Sequence, residues 1–251
     1  IAGELVGAGA QPHLVSEGMY CQKTTQDFEL LKIAMENVDY VVHAAALKQI
    51  VAAEYNPQEV IKTNIQGAEN IIFAALEQNV EKVIALSTDK ACNPVNLYGA
   101  SKLCSDKIFL SANNIKGSRK SKFSIVRYGN VLGSRGSVLP LFIKLNKSKK
   151  SLTLTDNKMT RFNITLEEGV KFVEWCLTNN LGGEIFVPKL KSFRIVDLGK
   201  AINSKVKFKL IGTKNRITAN IKSFRIDFFL KKKTKLPQIA YATSISPAQM
   251  K

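Results

Sequence analysis

The sequence predicts an α/β fold built on an open parallel sheet, and three observations carry that expectation. Segments with apolar residues at helical spacing alternate with short apolar runs: Phe28 to Val38 then Tyr40–His43, Asn64 to Ala75 then Val83–Leu86, Tyr98 to Asn113 then Phe123–Tyr128. The apolar runs end in small or polar residues, as strands do where an open parallel sheet forms its ligand crevice. The 251 residues are 45% hydrophobic, which suits one domain core and a smaller lobe.

In chain order, Gly7-Ala8-Gly9 after Leu5-Val6 is a fragment of a Gly-x-Gly turn, but Pro12 follows and no helical pattern comes after it. A dinucleotide-binding unit needs strand, Gly-rich turn, helix and second strand, and no room for it exists before Gln26. From Asp27 the helical period sets in, and Tyr40–His43 reads as a buried strand. That strand ends in Ala44, Ala45 and Ala46, small enough to let a ligand approach the backbone, and His43 reads as a satisfied core histidine rather than a catalytic one. Asn64 opens a long helix whose inner face is Ala68, Ile71, Ile72 and Ala75. In such surroundings its amide needs partners, and it is expected to hold strand ends by hydrogen bonds.

After the Tyr98–Asn113 helix, Lys116 to Lys122 reads as an exposed loop and Phe123–Tyr128 as an alternating strand. The strand runs into Gly129-Asn130-Val131-Leu132-Gly133-Ser134-Arg135-Gly136-Ser137, whose free N–H groups suit phosphate oxygens, with Arg135 adding charge. Pro140 to Leu145 is a short helix, Leu152–Leu154 a strand, and Leu166–Asn179 an amphipathic helix with Val170, Val173 and Leu177 inward and Trp175 as packing. Gly182 to Pro188 fits a hairpin-like strand and Ile195–Ile202 a last helix.

The net charge of +17 raises the question of nucleic acid, and its distribution answers it. Residues 1–188 hold 21 Lys/Arg against 18 Asp/Glu, while residues 189–251 hold 16 against 2. Basicity therefore belongs to the tail, where Lys231-Lys232-Lys233 and Lys235 would neutralise phosphates without reading sequence. No specific nucleic acid is expected as a partner. No apolar run approaches the ~18 residues of a membrane span, and no charged segment precedes an apolar one as in a secretory signal. Cys21, Cys92, Cys104 and Cys176 have no metal-like spacing, so no metal site is expected; their scatter suggests reduced thiols in a cytoplasmic protein, with Cys92 a small buried side chain.

The polar stretch Ser87 to Lys102 falls where a buried strand ends and a helix begins. Tyr98 and Lys102 are four residues apart, which stacks them on one helix face. A neighbouring cation favours the phenolate, so Tyr98 is suited to act as a base well below its ordinary pKa of about 10. Taken alone the pair reads first as a solvated Tyr–Lys couple of an exposed helix.

With Thr88 at the strand end and the adjacent Asp89 and Lys90, the motif resembles the extended short-chain dehydrogenase/reductase superfamily. The spelling Leu86-Ser-Thr-Asp-Lys-Ala-Cys-Asn-Pro-Val-Asn-Leu-Tyr-Gly-Ala-Ser-Lys102 is similar to the inverting UDP-N-acetylglucosamine 4,6-dehydratases, where Asp-Lys replaces residues usual in sugar epimerases. The resemblance extends to His43-Ala-Ala-Ala-x-Lys48, to a loop from Leu47-Lys48 through Glu54-Tyr55-Asn56-Pro57, to the Gly/Ser/Asn loop at 129–137, and to Met159-Thr160-Arg161-Phe162. It covers about residues 26–212; beyond Gly212 the family's Arg-Pro-Gly-Glu-Lys run is absent.

The resemblance implies a Rossmann-like parallel sheet with helices on both faces, expected to lack its first strands and Gly-rich loop. Its organisation would be a divergent segment 1–25, a partial NAD(P)-binding domain 26–150, a partial substrate lobe 151–212 and a basic tail 213–251. It implies NADP as cofactor, UDP-N-acetylglucosamine as substrate, no membrane, and self-association as a homo-oligomer. Tyr98, Lys102, Thr88, Asp89 and Lys90 would be catalytic. Ala44, Ala45, Ala46, Lys48 and Asn64, with Tyr98 and Lys102, would line the cofactor. Asn130, Gly133, Arg135, Gly136 and Arg161 would hold the nucleotide sugar, although Arg161 also fits a surface salt bridge. Two other readings stand beside this one: a nucleotide-sugar 4-epimerase, and a non-catalytic remnant with a polyanion-binding tail. The chain by itself is expected to give little or no product, and whether that product serves pseudaminic acid and flagellin glycosylation or a surface polysaccharide stays open.

Overall fold

The computed structural model describes residues 25–134 and 137–212 and the strand at 239–242. Asp27 caps helix α1 (Phe28–Ala34) by accepting the Leu30 N–H at 3.0 Å. Strand β1 (Tyr40–His43) follows, then two short helices, α2 (Ile50–Tyr55) and α3 (Pro57–Ile61), the second opened by a proline in its first turn. A π-helical turn, Lys62–Gln66, leads into α4 (Gly67–Glu77). Strand β2 (Lys82–Thr88), a 3-10 turn at Asp89–Ala91, helix α5 (Leu97–Ile115) and strand β3 (Lys122–Tyr128) complete the central series. Then come β4 (Asn130–Val131), α6 (Val138–Lys147), β5 (Leu152–Leu154), β6 (Thr160–Ile164) and α7 (Leu166–Asn179). The remainder is β7 (Ile185–Pro188), β8 (Ser192–Arg194), α8 (Ile195–Ile202), β9 (Phe208–Leu210) and β10 (Ile239–Ala242).

These elements form two compact units, divided between Arg127 and Tyr128, with residues 172–187 and β10 belonging to the first. The first unit holds a five-stranded sheet of order β1-β2-β3-β7-β10. Strand β1 lies parallel to β2, with Val41 opposite Val83, and β3 parallel to β7, with Ile125 opposite Ile185. Val83 to Ala85 and Phe123 to Val126 are continuously buried, so the alternation expected in Phe123–Tyr128 is replaced by an unbroken buried run. Central strands of a parallel sheet are covered on both faces, which removes the polar side of the pattern. Leu31 of α1, Ile71 and Ile72 of α4, and Phe109 and Ala112 of α5 share one core with Val83, Phe123 and Ile125.

Two further sequence expectations change. The segment matched to a family loop at 47–57 is largely helical, because Ala53 and Val60 find buried seats. The hairpin-like reading of Gly182 to Pro188 gives way to a parallel strand: Gly182 and Gly183, at φ 100° and 96°, turn the chain so that β7 enters the sheet beside β3.

The second unit carries a three-stranded sheet of order β4-β6-β8 and a β5-β9 pair. Its own core gathers Phe142 of α6, Leu152 and Leu154 of β5 and Ile195 of α8. Gly199 lets α8 approach β9 closely, since a Cβ there would stand 2.6 Å from the Phe208 ring. Among the described residues no helix is long and apolar enough to cross a membrane.

Candidate active site

Strand β2 delivers Ser87 and Thr88, both buried, at its carboxyl end. The Thr88 hydroxyl caps the 3-10 turn, donating to Asp89 Oδ1 at 2.9 Å and accepting the Lys90 N–H at 3.4 Å. Lys90 Nζ lies 3.0 Å from the same Asp89 oxygen, an ion pair whose side chains are 33% and 30% exposed. Lys90 thus meets a carboxylate partner at the edge of the site.

Helix α5 begins against that turn. Asn96 caps it by accepting the Gly99 N–H at 2.9 Å, and Glu54 of α2 accepts the Leu97 N–H at 2.9 Å. A Cβ at position 99 would stand 2.7 Å from the Lys90 carbonyl oxygen, so only glycine lets the first turn of α5, which carries half-buried Tyr98, sit so close to the Asp89–Lys90 turn. Asn64, 1% exposed in the π-helical turn, clamps the other side. It accepts the Leu47 N–H at 2.8 Å, donates to the Leu47 carbonyl at 3.0 Å and donates to Ser101 Oγ at 3.0 Å; Ser101 in turn donates to the Tyr98 carbonyl at 2.9 Å. The loop after β1 is thereby bound to the turn of α5 that bears Tyr98. A π-turn at such a position is a common mark of functional sites.

Lys102, one turn after Tyr98, is the buried amine of the site, 3% exposed. Burial pushes its pKa below the usual lysine value, and the negative charge of Asp106 pulls it back up. Asp106, 1% exposed, accepts Ser87 Oγ at 2.9 Å and is bound by Arg127 through Nε at 2.8 Å and Nη2 at 2.7 Å. Burial pushes the Asp106 pKa up, against Arg127, the Ser87 hydroxyl and Lys102, which lower it. His43 closes the cluster from β1: burial, assisted by the Lys102 charge, lowers its pKa to about 3, and its ring lies 5.6 Å from that of Phe109. Its Nε2 is buried without a hydrogen-bond partner among the described residues, so His43 is a core histidine, as expected, but not a satisfied one.

The residues expected along the cofactor divide by exposure. Ala45 and Ala46 are half-buried, Ala44 and Lys48 are exposed, and Asn64 is occupied by the clamp just described. Small side chains at a strand end beside a buried ammonium fit a dinucleotide's ribose and phosphates approaching the backbone.

The second unit has an open cleft of about 270 Å³. Asn130, Gly133 and Arg161, three of the residues expected to hold substrate, line it together, with Ser137, Thr153 and Asn163 beside them. Asn130 Oδ1 and Ser137 Oγ are buried there without partners among the described residues. Gly133 has φ 76°, and Arg161 donates from Nη1 to the Thr160 carbonyl at 2.8 Å. Arg135 and Gly136 lie outside the described residues, as do Gly7-Ala8-Gly9 and the Lys231–Lys235 run. Among the described residues no cluster of His, Cys, Asp and Glu is placed to hold a metal ion.

Sequence reasoning passed over Glu54 as a cap, and Asp106 and Arg127 altogether. Asp106 had one legible signal, its spacing four residues after Lys102 on the same helix; nothing local marks Arg127, which ends a different strand. Cys92, expected to be buried, is exposed, with Arg127 Nη1 donating to its sulfur at 3.5 Å. Trp175 packs edge-on against Phe186, ring centroids 6.0 Å apart, in the packing role expected of it.

This arrangement has relatives. The inverting UDP-N-acetylglucosamine 4,6-dehydratase of Campylobacter jejuni subsp. jejuni serotype O:23/36 (strain 81-176) is 57% identical over 188 residues, 74% of this chain and 56% of that enzyme. The UDP-glucose 4-epimerase of Rickettsia bellii (strain OSU 85-389) is 44% identical over 194 residues, 76% of this chain and 57% of that protein. The X-ray structure of Pen from Bacillus thuringiensis superposes with a TM-score of 0.71 at 39% identity, covering 76% of this chain and 61% of that one. The chain thus spans about half the length of the curated relatives it matches. A family model described as polysaccharide biosynthesis protein matches residues 14–225. With its parallel α/β sheet, its Tyr98-x-x-x-Lys102 helix and a match of that extent, the chain belongs to the polysaccharide biosynthesis protein family.

Proposed function

We propose that this chain carries the catalytic groups of a nucleotide-sugar 4,6-dehydratase that converts UDP-N-acetylglucosamine to its 4-keto-6-deoxy derivative with inversion at C5. The observation that supports this reading is the Asp89–Lys90 contact of 3.0 Å at the end of β2, just ahead of Tyr98 and Lys102. A 4-epimerase, which needs only the tyrosine, the lysine and a hydroxyl, has no use for such a couple.

Tyr98 takes the proton of the C4 hydroxyl, which Thr88 orients, while Lys102 supplies positive charge to the phenol. NADP, when bound, would accept the C4 hydrogen with its electron pair and return both to C6; Ala44–Ala46, Lys48 and Lys102 would lie along it. The ketone at C4 acidifies C5. Moving one proton across the Asp89–Lys90 contact turns the ion pair into the carboxylic acid and free amine that elimination uses. Lys90 then removes the C5 proton as Asp89 protonates the departing C6 hydroxyl, which leaves as water, and the couple returns to its starting charges. Tyr98 delivers its proton to C5 from the opposite face, which inverts that centre. On the same resemblance Asn130, Gly133, Arg135, Gly136 and Arg161 would hold the diphosphate end. A cytoplasmic location and a homo-oligomeric state belong to the same reading.

The test compares this chain with a fusion carrying the parts of the Campylobacter enzyme that it does not span. Each is incubated with UDP-N-acetylglucosamine and NADP, and the sugar product is identified by mass and NMR. The fusion is expected to form the 4-keto-6-deoxy sugar, the chain by itself little or none, and Tyr98→Phe in the fusion to lower the rate by at least ~100-fold. A C4 epimer would favour the epimerase reading. An inert fusion would refute both.

A further inference from the structure

The proposed chemistry makes no use of Asp106, yet Asp106 is a buried and multiply bonded side chain of the site. Three donors converge on its Oδ2: Ser87 Oγ, Arg127 Nε and Arg127 Nη2, all within 2.9 Å. Ser87 directly precedes the Thr88-Asp89-Lys90 turn, and Arg127 lies at the end of β3. One carboxylate therefore ties two strand ends to α5. Lys102 stands one helical turn away on α5, 3% exposed.

Around that ammonium the charged and titratable groups can be named. From its own helix comes Asp106, and from β3 Arg127, whose charge Asp106 meets in direct contact. From β1 comes neutral His43, and in the turn packed against α5 the Asp89–Lys90 couple balances itself. Asp106 is thus the acid that meets both cations, Arg127 in direct contact and Lys102 one helical turn away.

We propose that Asp106 is a positioning residue: held by Ser87 and Arg127, its carboxylate keeps buried Lys102, one turn after Tyr98 on the same helix, an ammonium. With a neutral amide at position 106, the cost of burying the Lys102 charge would lose its offset, and the lysine would give up its proton more readily. The consequence for catalysis rests on the dehydratase reading; the electrostatic claim does not.

The experiment follows the side-chain Cε signal of Lys102 by NMR in the full chain labelled with ¹³C-lysine, assigned by Lys102→Arg, and titrated in the absence of nucleotide and sugar. In Asp106→Asn the midpoint of Lys102 is expected to fall by ~1 pH unit or more, and in Asp106→Glu to stay near that of the unsubstituted chain. An unchanged or raised midpoint in a folded Asp106→Asn would overturn the proposal. Should that variant fail to unfold cooperatively, the unsubstituted chain decides: its Lys102 signal must show a second inflection at the acidic pH where Asp106 takes up a proton, and a single inflection overturns the proposal. Because the titration needs no substrate, its failure leaves the dehydratase reading standing, and an inert fusion leaves the Asp106 result standing.

Discussion

His43 ends β1 with its imidazole buried and its Nε2 unpaired among the described residues. Its pKa in the folded chain is about 3, against an ordinary value of 6.5. Between those two values the unfolded chain binds a proton that the folded chain refuses, so stability rises with pH and is lost as the pH falls from 6.5 toward 3. The slope approaches ~1.4 kcal/mol per pH unit, which makes the loss from this group about 2 kcal/mol between pH 7 and pH 5. Urea denaturation at the two pH values is expected to show that loss in the unsubstituted chain and its disappearance in His43→Phe; equal pH slopes would show that His43 titrates normally. The sequence placed this residue in the core from the apolar run that carries it. It could not reveal the missing partner, because hydrogen-bond satisfaction depends on residues such as Lys102 and Phe109, more than fifty positions away. The same holds for the two lysines: local text does not distinguish Lys102, 3% exposed, from Lys90, 33% exposed at its side chain.

Element by element, the agreement is closest where a strong period coincides with a capping residue. Helix α5 starts at Asn96 and runs through the expected span, and α7 and α8 have the expected bounds. Agreement fails where the stabilising contact is remote: α2 and α3 are too short to form on propensity and exist through tertiary packing. Asn64 shows how such pieces are joined, since its single amide serves the backbone of Leu47 on both sides and the hydroxyl of Ser101. Asn64→Ala would leave the Leu47 N–H and carbonyl without these partners, at a cost on the order of 2 kcal/mol or more. A lower urea midpoint with an unchanged slope, together with faster amide exchange at Leu47, is the expected outcome. Unaltered exchange at Leu47 would mean that the clamp does not hold the loop. The need for partners anticipated from its apolar helix face is met, but by the loop after β1 and by α5 rather than by strand ends, which that face could not show.

At the scale of the whole molecule, charge and core are separated along the chain. Residues 213–251 carry 9 Lys/Arg and 1 Asp/Glu, close to half of the net +17. A chain ending at Gly212 is therefore expected to elute from heparin at distinctly lower salt than the full chain, with a shallower dependence of retention on salt concentration. Identical elution would place polyanion binding elsewhere. Each unit keeps its own apolar core, around Phe109 and Phe123 in the first and around Phe142 and Leu152 in the second. The sequence by itself determined the fold class, the order of strands and helices in the central series, and the identity of the Asp89, Lys90, Tyr98 and Lys102 motif, because periodicity and short-range spacing are local properties. Only the tertiary structure decided which amine is buried, that Asp89 and Lys90 meet as an ion pair, and that Ser87, Asp106 and Arg127 share one carboxylate oxygen. The Ser87, Asp106 and Arg127 contacts join two strand ends to a helix, and their energies exist only once the sheet has brought them together; the Asp89–Lys90 pair, though between neighbours, depends on the turn that ends β2.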